Sequence, residues 1–274
     1  MTPTLARLPL LNLGLLGLFL VGLLWRGYGD TSTAVVLSSL VLFAVCLGSA
    51  VHLLGTRPAA RFVTAAVVFG WFAEQMGATH GWFFGSYDYT EVLGPRVGAV
   101  PFVIPLMWFA LTYTGYVLAN LIVWRAPVDG SPRIADAALM SLLAAMLVTA
   151  YDLGADPYMV FVLKAWIMTK KDGDWFGETV QGFVGWTVVS FFILMLFRMW
   201  VRKVPPVPAT AFKRRDALVP VLVYTGMMAF QIAFGFPVET RSMALFVMGI
   251  PVLCALAGWR HWKTNEQDNE GETR

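Results

Sequence analysis

Acidic side chains stand beside long apolar runs in this sequence, and Glu74 is one of them. Glu74 follows an apolar run that begins near residue 60, so it would lie within or at the edge of hydrocarbon if that run crosses a membrane. A carboxylate is costly to bury at that depth, and an ionisable residue there is a candidate functional residue. The alternative is a side chain that reaches the interface beside a belt of aromatic residues. A buried carboxylic acid that keeps its proton could deliver it to an apolar substrate.

The segment after Glu74 is crowded with glycines and aromatic residues and carries two further acids, Asp88 and Glu91. A plain connector in solvent has no need of so many aromatic side chains. We therefore interpret this loop as part of a site rather than as a simple link between two apolar helices.

A second acidic group is formed by Asp152 and Asp156. They are four residues apart and so share one face of a helix, which Pro157 is predicted to end. Two like charges on one face disfavour each other's ionised form, most of all near an apolar phase. The pair would suit either a bound metal ion or an acid that keeps its proton. The alternative is a solvated helix end.

A third polar cluster covers residues 174–186 and contains Glu178, two tryptophans and several glycines. Small residues there would allow helices to approach closely, and the tryptophans could be interfacial anchors. Lys164 lies in an apolar stretch shortly before this cluster. We expect its side chain to reach the membrane interface rather than to hold retinal.

These clusters lie in a chain that is 58% hydrophobic and 14% charged, with a mean hydropathy of +0.66. Such values are typical of polytopic helical membrane proteins. We predict an all-α integral membrane bundle of about eight (seven to eight) transmembrane helices. It would form a single domain over residues 1–274, with a short polar cytoplasmic tail at 263–274.

Apolar runs long enough to cross a bilayer occupy residues 8–25, 33–54, 60–77, 99–124, 134–152, 181–201, 217–236 and 242–260. The first run is too long for a signal peptide and is interpreted as a retained helix. A shorter amphipathic stretch at 158–168 is predicted to be interfacial or re-entrant.

Basic residues indicate the orientation. With the N-terminus in the cytoplasm, fourteen of the twenty Lys and Arg residues face the cytoplasm, as the positive-inside rule requires. We predict a multi-pass protein of the cell membrane with both termini cytoplasmic. The Pro-rich, basic segment 202–216 would then face anionic lipid or act only as a topology determinant. The residues expected at the outer side are Glu74, Asp88, Glu91, Asp152, Asp156 and Glu178.

Several kinds of chemistry lack their usual motifs. The sequence contains no phosphate-binding glycine motif, no His/Cys metal spacing and no dinucleotide fingerprint, and nothing in it indicates nucleic-acid binding. Cys46 and Cys254 lie inside apolar runs, which does not support a disulfide or a zinc site. The three histidines are scattered, which disfavours oxygen chemistry at clustered histidines. Carboxylates, aromatic residues and a hydrophobic interior favour proton-driven chemistry on a very apolar substrate.

Three motifs in the sequence then resemble those of one family. The first begins at Glu74 as E-x-x-G-x-x-H-G-x-x-F-G-x-Y-x-Y, continues as L-G-P-R, and ends as P-x-x-I-P-L-x-W at Trp108. The second is D-x-x-x-D-P at 152–157, and the third is F-G…G-W at 176–186. Together they resemble the carotenoid biosynthesis family of membrane proteins, which includes carotenoid hydratases. The sequence departs from the family at His80, where Thr is frequent, and at Thr179 and Gly182, where Pro and Asn are usual.

The resemblance implies addition of water across the terminal C1=C2 double bond of an acyclic (ψ) carotene end. Protonation of that bond gives a tertiary carbocation and needs a carboxylic acid kept protonated by apolar surroundings. The candidate acids are Glu74, which we favour, Asp152 and Asp156, with Asp88 as the base that holds water. Aromatic faces stabilise cations, so the candidate substrate-binding residues are Trp82, Phe84, Tyr87, Tyr89, Trp108, Phe176 and Trp186.

Hydration is redox-neutral, so the resemblance implies no cofactor and no metal. The implied partners are a carotenoid such as lycopene, γ-carotene or a C50 carotene, the lipid bilayer, and other carotenoid enzymes. The alternatives are a carotene cyclase, suggested by the partial motif P-V-E-T at 237–240, and a membrane prenyltransferase that binds Mg²⁺ through a D-x-x-x-D pair. A non-enzymatic carotenoid-binding membrane protein is a further alternative.

Overall fold

The computed structural model describes residues 3–29, 31–128, 133–169, 173, 175–203 and 213–262. The predicted polar tail at 263–274 and most of the Pro-rich segment lie outside these residues. The described chain is almost wholly helical, which confirms the predicted all-α bundle. Its α-helices are α1 (Pro3–Tyr28), α2 (Thr31–Leu54), α3 (Thr56–His80), α4 (Val103–Trp124), α5 (Ile134–Tyr158), α6 (Val180–Val201), α7 (Leu218–Phe234), α8 (Glu239–Val247) and α9 (Gly249–Arg260).

Seven segments of the described chain are long and apolar enough to cross a membrane. They correspond to seven of the eight predicted runs, and the protein is a multi-pass membrane protein. The remaining run lies in α3, which is as long as its neighbours but less apolar because it carries Arg57, Arg61 and Glu74. The last span consists of α8 and α9 in succession. Pro251 lies in the first turn of α9. Proline is tolerated there because backbone N–H groups in the first turn have no partner within the helix.

Helix α4 lies at the centre of the bundle. Nearly all of its side chains from Val103 to Leu121 are buried, and it packs against α2, α3, α5, α7 and α9. A helix that is apolar on every face must be surrounded by other helices to hide all of its surface. The chain reverses direction between α3 and α4 and again between α5 and α6. One end of the bundle, which we call the site end, therefore contains the ends of α3 and α5 and the beginnings of α4 and α6.

Four short strands lie at the site end, in the loops that join these helices. They are β1 (Tyr87–Tyr89), β2 (Arg96–Val97), β3 (Val100–Pro101) and β4 (Trp166–Met168). β1 pairs with β4 in an antiparallel register that sets Tyr89 opposite Trp166, and β2 pairs with β3. Gly81 begins the first loop in the left-handed conformation (φ 71°) that glycine adopts without strain. The β1–β4 pair fastens the loop after α3 to the segment after α5.

The predicted end of α5 at Pro157 is wrong. The helix continues to Tyr158 and then through a π-helical turn at Met159–Leu163. Pro157 lacks the N–H that would bond to the carbonyl of Leu153, but the indole nitrogen of Trp175 donates to that carbonyl instead, at 2.9 Å. The stretch at 158–168 contains the last residue of α5, the π-helical turn and strand β4, and its interfacial or re-entrant position stays a prediction.

Candidate active site

Glu74 lies one to two turns before the end of α3, and its carboxyl group is buried among hydrogen-bond donors. The Tyr89 hydroxyl donates to Oε2 at 2.7 Å, and the Tyr87 hydroxyl donates to the same oxygen. The Trp108 indole nitrogen donates to Oε1 at 2.9 Å. A carboxylate accepts all of these bonds, whereas a protonated carboxyl would require one tyrosine to accept instead. These three donors therefore favour the ionised form of Glu74, while its burial opposes that form.

Strand β1 explains which residues of the aromatic loop reach Glu74. Successive side chains of a strand point to opposite faces, and Tyr87 and Tyr89 are buried while Asp88 between them is exposed. Burial, and then the Glu74 carboxylate, raise the pKa of both tyrosines well above the usual range, so they stay O–H donors. The structure does not bring Asp88 to the site, and its predicted role as the base is corrected accordingly.

Asp152 and Asp156 form the second acidic group, together with Glu178 from the loop before α6. All three are buried, and Asp156 is within hydrogen-bonding contact of Glu178 and Trp166. Each acid has one oxygen without a hydrogen-bond partner among the described residues: Oδ2 of Asp152, Oδ1 of Asp156 and Oε1 of Glu178. Burial, and then the neighbouring Asp156 carboxyl, raise the pKa of Glu178 far above its usual range. Adjacent buried carboxyls cannot all be ionised, so this acid cluster holds protons.

Glu178 was not among the predicted site residues, although it follows the F-G pair of the third motif. Its position depends on contacts between distant parts of the chain. Backbone bridges join Trp175 to Glu178 and Gly173 to Gly177, and the indole of Trp175 bonds to α5. This short turn holds Glu178 against Asp156.

One cavity contains Glu74 and the acid cluster. It has about 730 Å³ of unfilled space, part of it open to the surroundings. Apart from the four acids, its wall is almost wholly aromatic and aliphatic. The aromatic lining residues are Phe84, Tyr87, Tyr89, Trp108, Tyr151, Trp166 and Trp186. The cavity thus brings together acids from three separate stretches of sequence. The predicted topology also places these acids on the same side of the bundle.

Aromatic rings pack against one another beside Glu74. The ring centroids of Trp108 and Trp186 are 4.5 Å apart, and Phe84 stacks on Trp108 at 5.9 Å. These residues, with Tyr87 and Tyr89, are the predicted aromatic residues that line the cavity.

Two predicted substrate-binding residues lie elsewhere. The side chain of Trp82 is 54% exposed, and Phe176 packs edge-on against Trp175 outside the cavity lining. Tyr151 and Trp166 line the cavity without having been predicted. Tyr151 directly precedes Asp152 in the second motif, and this adjacency was the signal for it.

The described residues contain no group of three or more His, Cys, Asp or Glu side chains arranged to hold a metal ion. Lys164 is exposed at the end of the π-helical turn and lies outside the cavity lining. No basic residue lines the cavity in the described chain. The site therefore offers carboxyl groups, phenol and indole donors, and aromatic faces.

The fold and this cavity define a polytopic helical membrane protein with buried acids facing an apolar, aromatic chamber. The sequence profile of the family described as "Carotenoid biosynthesis protein" matches residues 32–256, and the chain belongs to that family. It is also similar to the bisanhydrobacterioruberin hydratase of Haloarcula japonica, with 29% identity over 142 residues. The aligned region covers 52% of this chain and 45% of that protein. No solved structure matches the chain.

Proposed function

We propose that this protein hydrates a carotene, adding water to the terminal C1=C2 double bond of an acyclic (ψ) end to give a tertiary alcohol. Membership of the carotenoid biosynthesis family supports an apolar polyene substrate, and a relative is named as a hydratase. The observation that carries the proposal is the single cavity in which four buried acids face aromatic rings. Lycopene, γ-carotene and C50 carotenes with ψ-ends are the substrate class.

The proton for the double bond comes from the acid cluster. Glu178 stays neutral and lies in hydrogen-bonding contact with Asp156, while Asp152 lines the cavity with an oxygen that no described residue engages. We therefore assign Asp152 as the general acid. Its proton adds to C2, the electron pair of the double bond forms the new C–H bond, and C1 becomes a tertiary carbocation.

Glu74 and the rings beside it stabilise that carbocation. A preorganised charge in a site that excludes water stabilises a developing opposite charge strongly, and indole faces attract cations. The sequence favoured Glu74 as the acid. Its tyrosine and tryptophan donors instead favour a fixed carboxylate that remains ionised beside the cation.

Water then attacks C1 and the oxygen loses one proton. Asp156 is the proposed acceptor, because Asp88 is exposed and Asp156 lines the cavity next to the acid. Transfer of that proton within the cluster restores the acid form of Asp152. The sum of the steps adds H to C2 and OH to C1, and no electrons enter or leave.

The alternatives require features that differ from this lining. A prenyltransferase holds its diphosphate through Mg²⁺ bound by two acidic motifs, whereas this sequence has only one D-x-x-x-D motif, and no basic residue lines the described cavity. The partial cyclase motif contains Glu239, which is exposed at the start of α8 and does not line the cavity. Cyclisation could nevertheless begin with the same protonation, so the product must decide between the two.

Expression of the gene in a host that accumulates lycopene or γ-carotene tests the proposal. We expect a new pigment whose mass exceeds that of the substrate by one water molecule. A pigment of unchanged mass with a changed absorption spectrum would indicate cyclisation instead. An unchanged pigment bound to the purified protein would indicate a carotenoid-binding protein without this activity. Asp88→Asn, altered at an exposed site, is the matched control and should give the same pigment as the wild type.

A further inference from the structure

A second cavity adjoins the first at the site end of the bundle. It has about 300 Å³ of unfilled space, and its polar lining residues include Arg26 of α1 and Gln231 of α7. Tyr151 and Ala155 of α5 line both cavities. Tyr151 therefore lies between the acid-lined chamber and this smaller cavity, which we call the Arg26 pocket.

Arg26 is only 7% exposed, and its surroundings are largely uncharged. Its Nη2 atom donates to the sulfur of Met159 at 3.2 Å. The guanidinium group lies 4.9 Å from the ring centroid of Phe230 and 5.2 Å from that of Tyr158. Its Nε–H group is buried and has no acceptor among the described residues. A buried donor of this kind is costly unless something in the pocket accepts from it.

Gln231 presents the complementary group. Its side chain is 2% exposed, and its Nε2 atom donates to the Tyr151 carbonyl at 2.8 Å. This bond fixes the amide with its oxygen as the free end, and Oε1 has no donor among the described residues. The missing side chain at Gly154 lets the amide pack against α5. The pocket thus offers one unused donor and one unused acceptor.

A water molecule matches this pair of groups, because it accepts from Arg26 and donates to Gln231. An anion would accept from Arg26 but would face the Gln231 oxygen with no proton to give. Buried polar groups in small cavities are commonly satisfied by water in this way. Tyr151 lines both cavities, so it connects this pocket to the chamber that Asp152 lines.

We propose that the Arg26 pocket binds the water that adds to the carotene and supplies it past Tyr151. This inference rests on the proposed hydration. A carbocation that is not captured by water loses a proton from a methyl group on C1 and gives an isomeric alkene. In D₂O that alkene carries one deuterium at C2, received from the acid. The ratio of hydrated carotene to deuterated alkene therefore reports water supply separately from the rate of protonation.

The test measures this ratio in D₂O for Gln231→Met, which keeps the length of the side chain and removes its amide, and for Arg26→Met, which keeps an unbranched but shorter side chain and removes the guanidinium group. We expect the ratio to fall about tenfold or more in both, the scale expected when a buried polar partner is lost. Thr225→Val is the matched control, because it removes a polar group of α7 that bonds only to the Val221 carbonyl and lies outside the pocket. It should keep the wild-type ratio.

The outcomes separate the two proposals. If the wild type hydrates no ψ-carotene, the proposed function fails. If it does hydrate and both variants keep its ratio, the function stands and the water pocket is refuted, even where total turnover falls through poorer packing. If a methionine variant does not accumulate in membranes, Arg26→Lys or Gln231→Asn takes its place. We expect a smaller fall in the ratio for these variants, and an unchanged ratio would again refute the pocket.

Discussion

The indole nitrogen of Trp108 in α4 donates a 2.9 Å hydrogen bond to Glu74 in α3. The same indole lies 4.5 Å from the ring of Trp186, so the carboxylate and the two aromatic faces form one rigid group. This bond joins the central helix to the helix that carries the charge. A cation that forms in the cavity would thus meet a fixed negative charge and ring faces together, without rearrangement of the protein.

The alternation along β1 gives a first prediction. Tyr89→Phe and Tyr87→Phe keep the rings but each removes one donor to Glu74. A hydrogen bond to a charged group is worth about 1.5–3 kcal/mol, so each variant should lose roughly ten- to hundredfold in initial hydration rate. Asp88→Asn, on the exposed face, should stay within about twofold, as most surface changes do. A larger loss of hydration rate in Asp88→Asn than in Tyr89→Phe would refute the proposed role of the tyrosine hydroxyls as donors to Glu74.

Glu178 gives a prediction about pH and stability. Its pKa is raised above the ordinary value of 4.5 because of burial and then Asp156. The folded protein keeps a proton there that the unfolded chain has released. The free energy of unfolding therefore falls by up to about 1.4 kcal/mol per pH unit above that value, until the raised pKa is reached.

Glu178→Gln removes this effect, because an amide does not titrate. The melting temperature of the variant relative to wild type should rise between about pH 6 and about pH 8, measured in detergent at constant ionic strength. Glu91→Gln is the control, since the exposed Glu91 pairs only with Arg96 at the surface and such pairs contribute little. If the difference in melting temperature between Glu178→Gln and wild type does not vary with pH, Glu178 is not protonated in the folded protein.

Chelation separates the proposed reaction from metal-dependent chemistry. We expect hydration by purified protein to survive prolonged treatment with EDTA, because the acids act as proton donors and acceptors. Loss of turnover with EDTA that Mg²⁺ restores would instead favour the prenyltransferase alternative. The rate before and after chelation, with Mg²⁺ added back, is the measurement.

Orientation is tested by cysteine labelling. We expect Ser86→Cys, in the exposed part of the aromatic loop, to react with an impermeant reagent from outside. Lys203→Cys, exposed after the end of α6, should react only after the membrane is opened. Both variants are made in a chain without Cys254, which is exposed. Labelling of both positions from the same side would refute the predicted topology.

Features with a local physical cause were predictable from sequence. Apolar runs gave the helices, because a membrane requires about the same length of apolar residues in every span. The spacing of Asp152 and Asp156 gave a shared helix face, and the motif that begins at Glu74 gave most of the aromatic lining.

Features that depend on distant contacts were not predictable. Proline usually ends a helix, but α5 passes Pro157 because Trp175 donates to the Leu153 carbonyl. Asp88 was predicted as the base because it lies between aromatic residues, yet the pairing of β1 with β4 turns it outward. Glu178 joins the acid cluster through backbone bridges that no local pattern specifies.

The role of Asp152 as the general acid is tested most directly by the rate at which Asp152→Asn forms hydroxylated carotene, compared at matched membrane levels with wild type and Glu74→Gln. Asparagine keeps the size of the side chain but cannot deliver a proton. Loss of a general acid typically costs about 10²–10⁴-fold, and we predict that Asp152→Asn falls in that range. A near-normal rate for Asp152→Asn, with the loss confined to Glu74→Gln, would contradict the account and return the role of acid to Glu74.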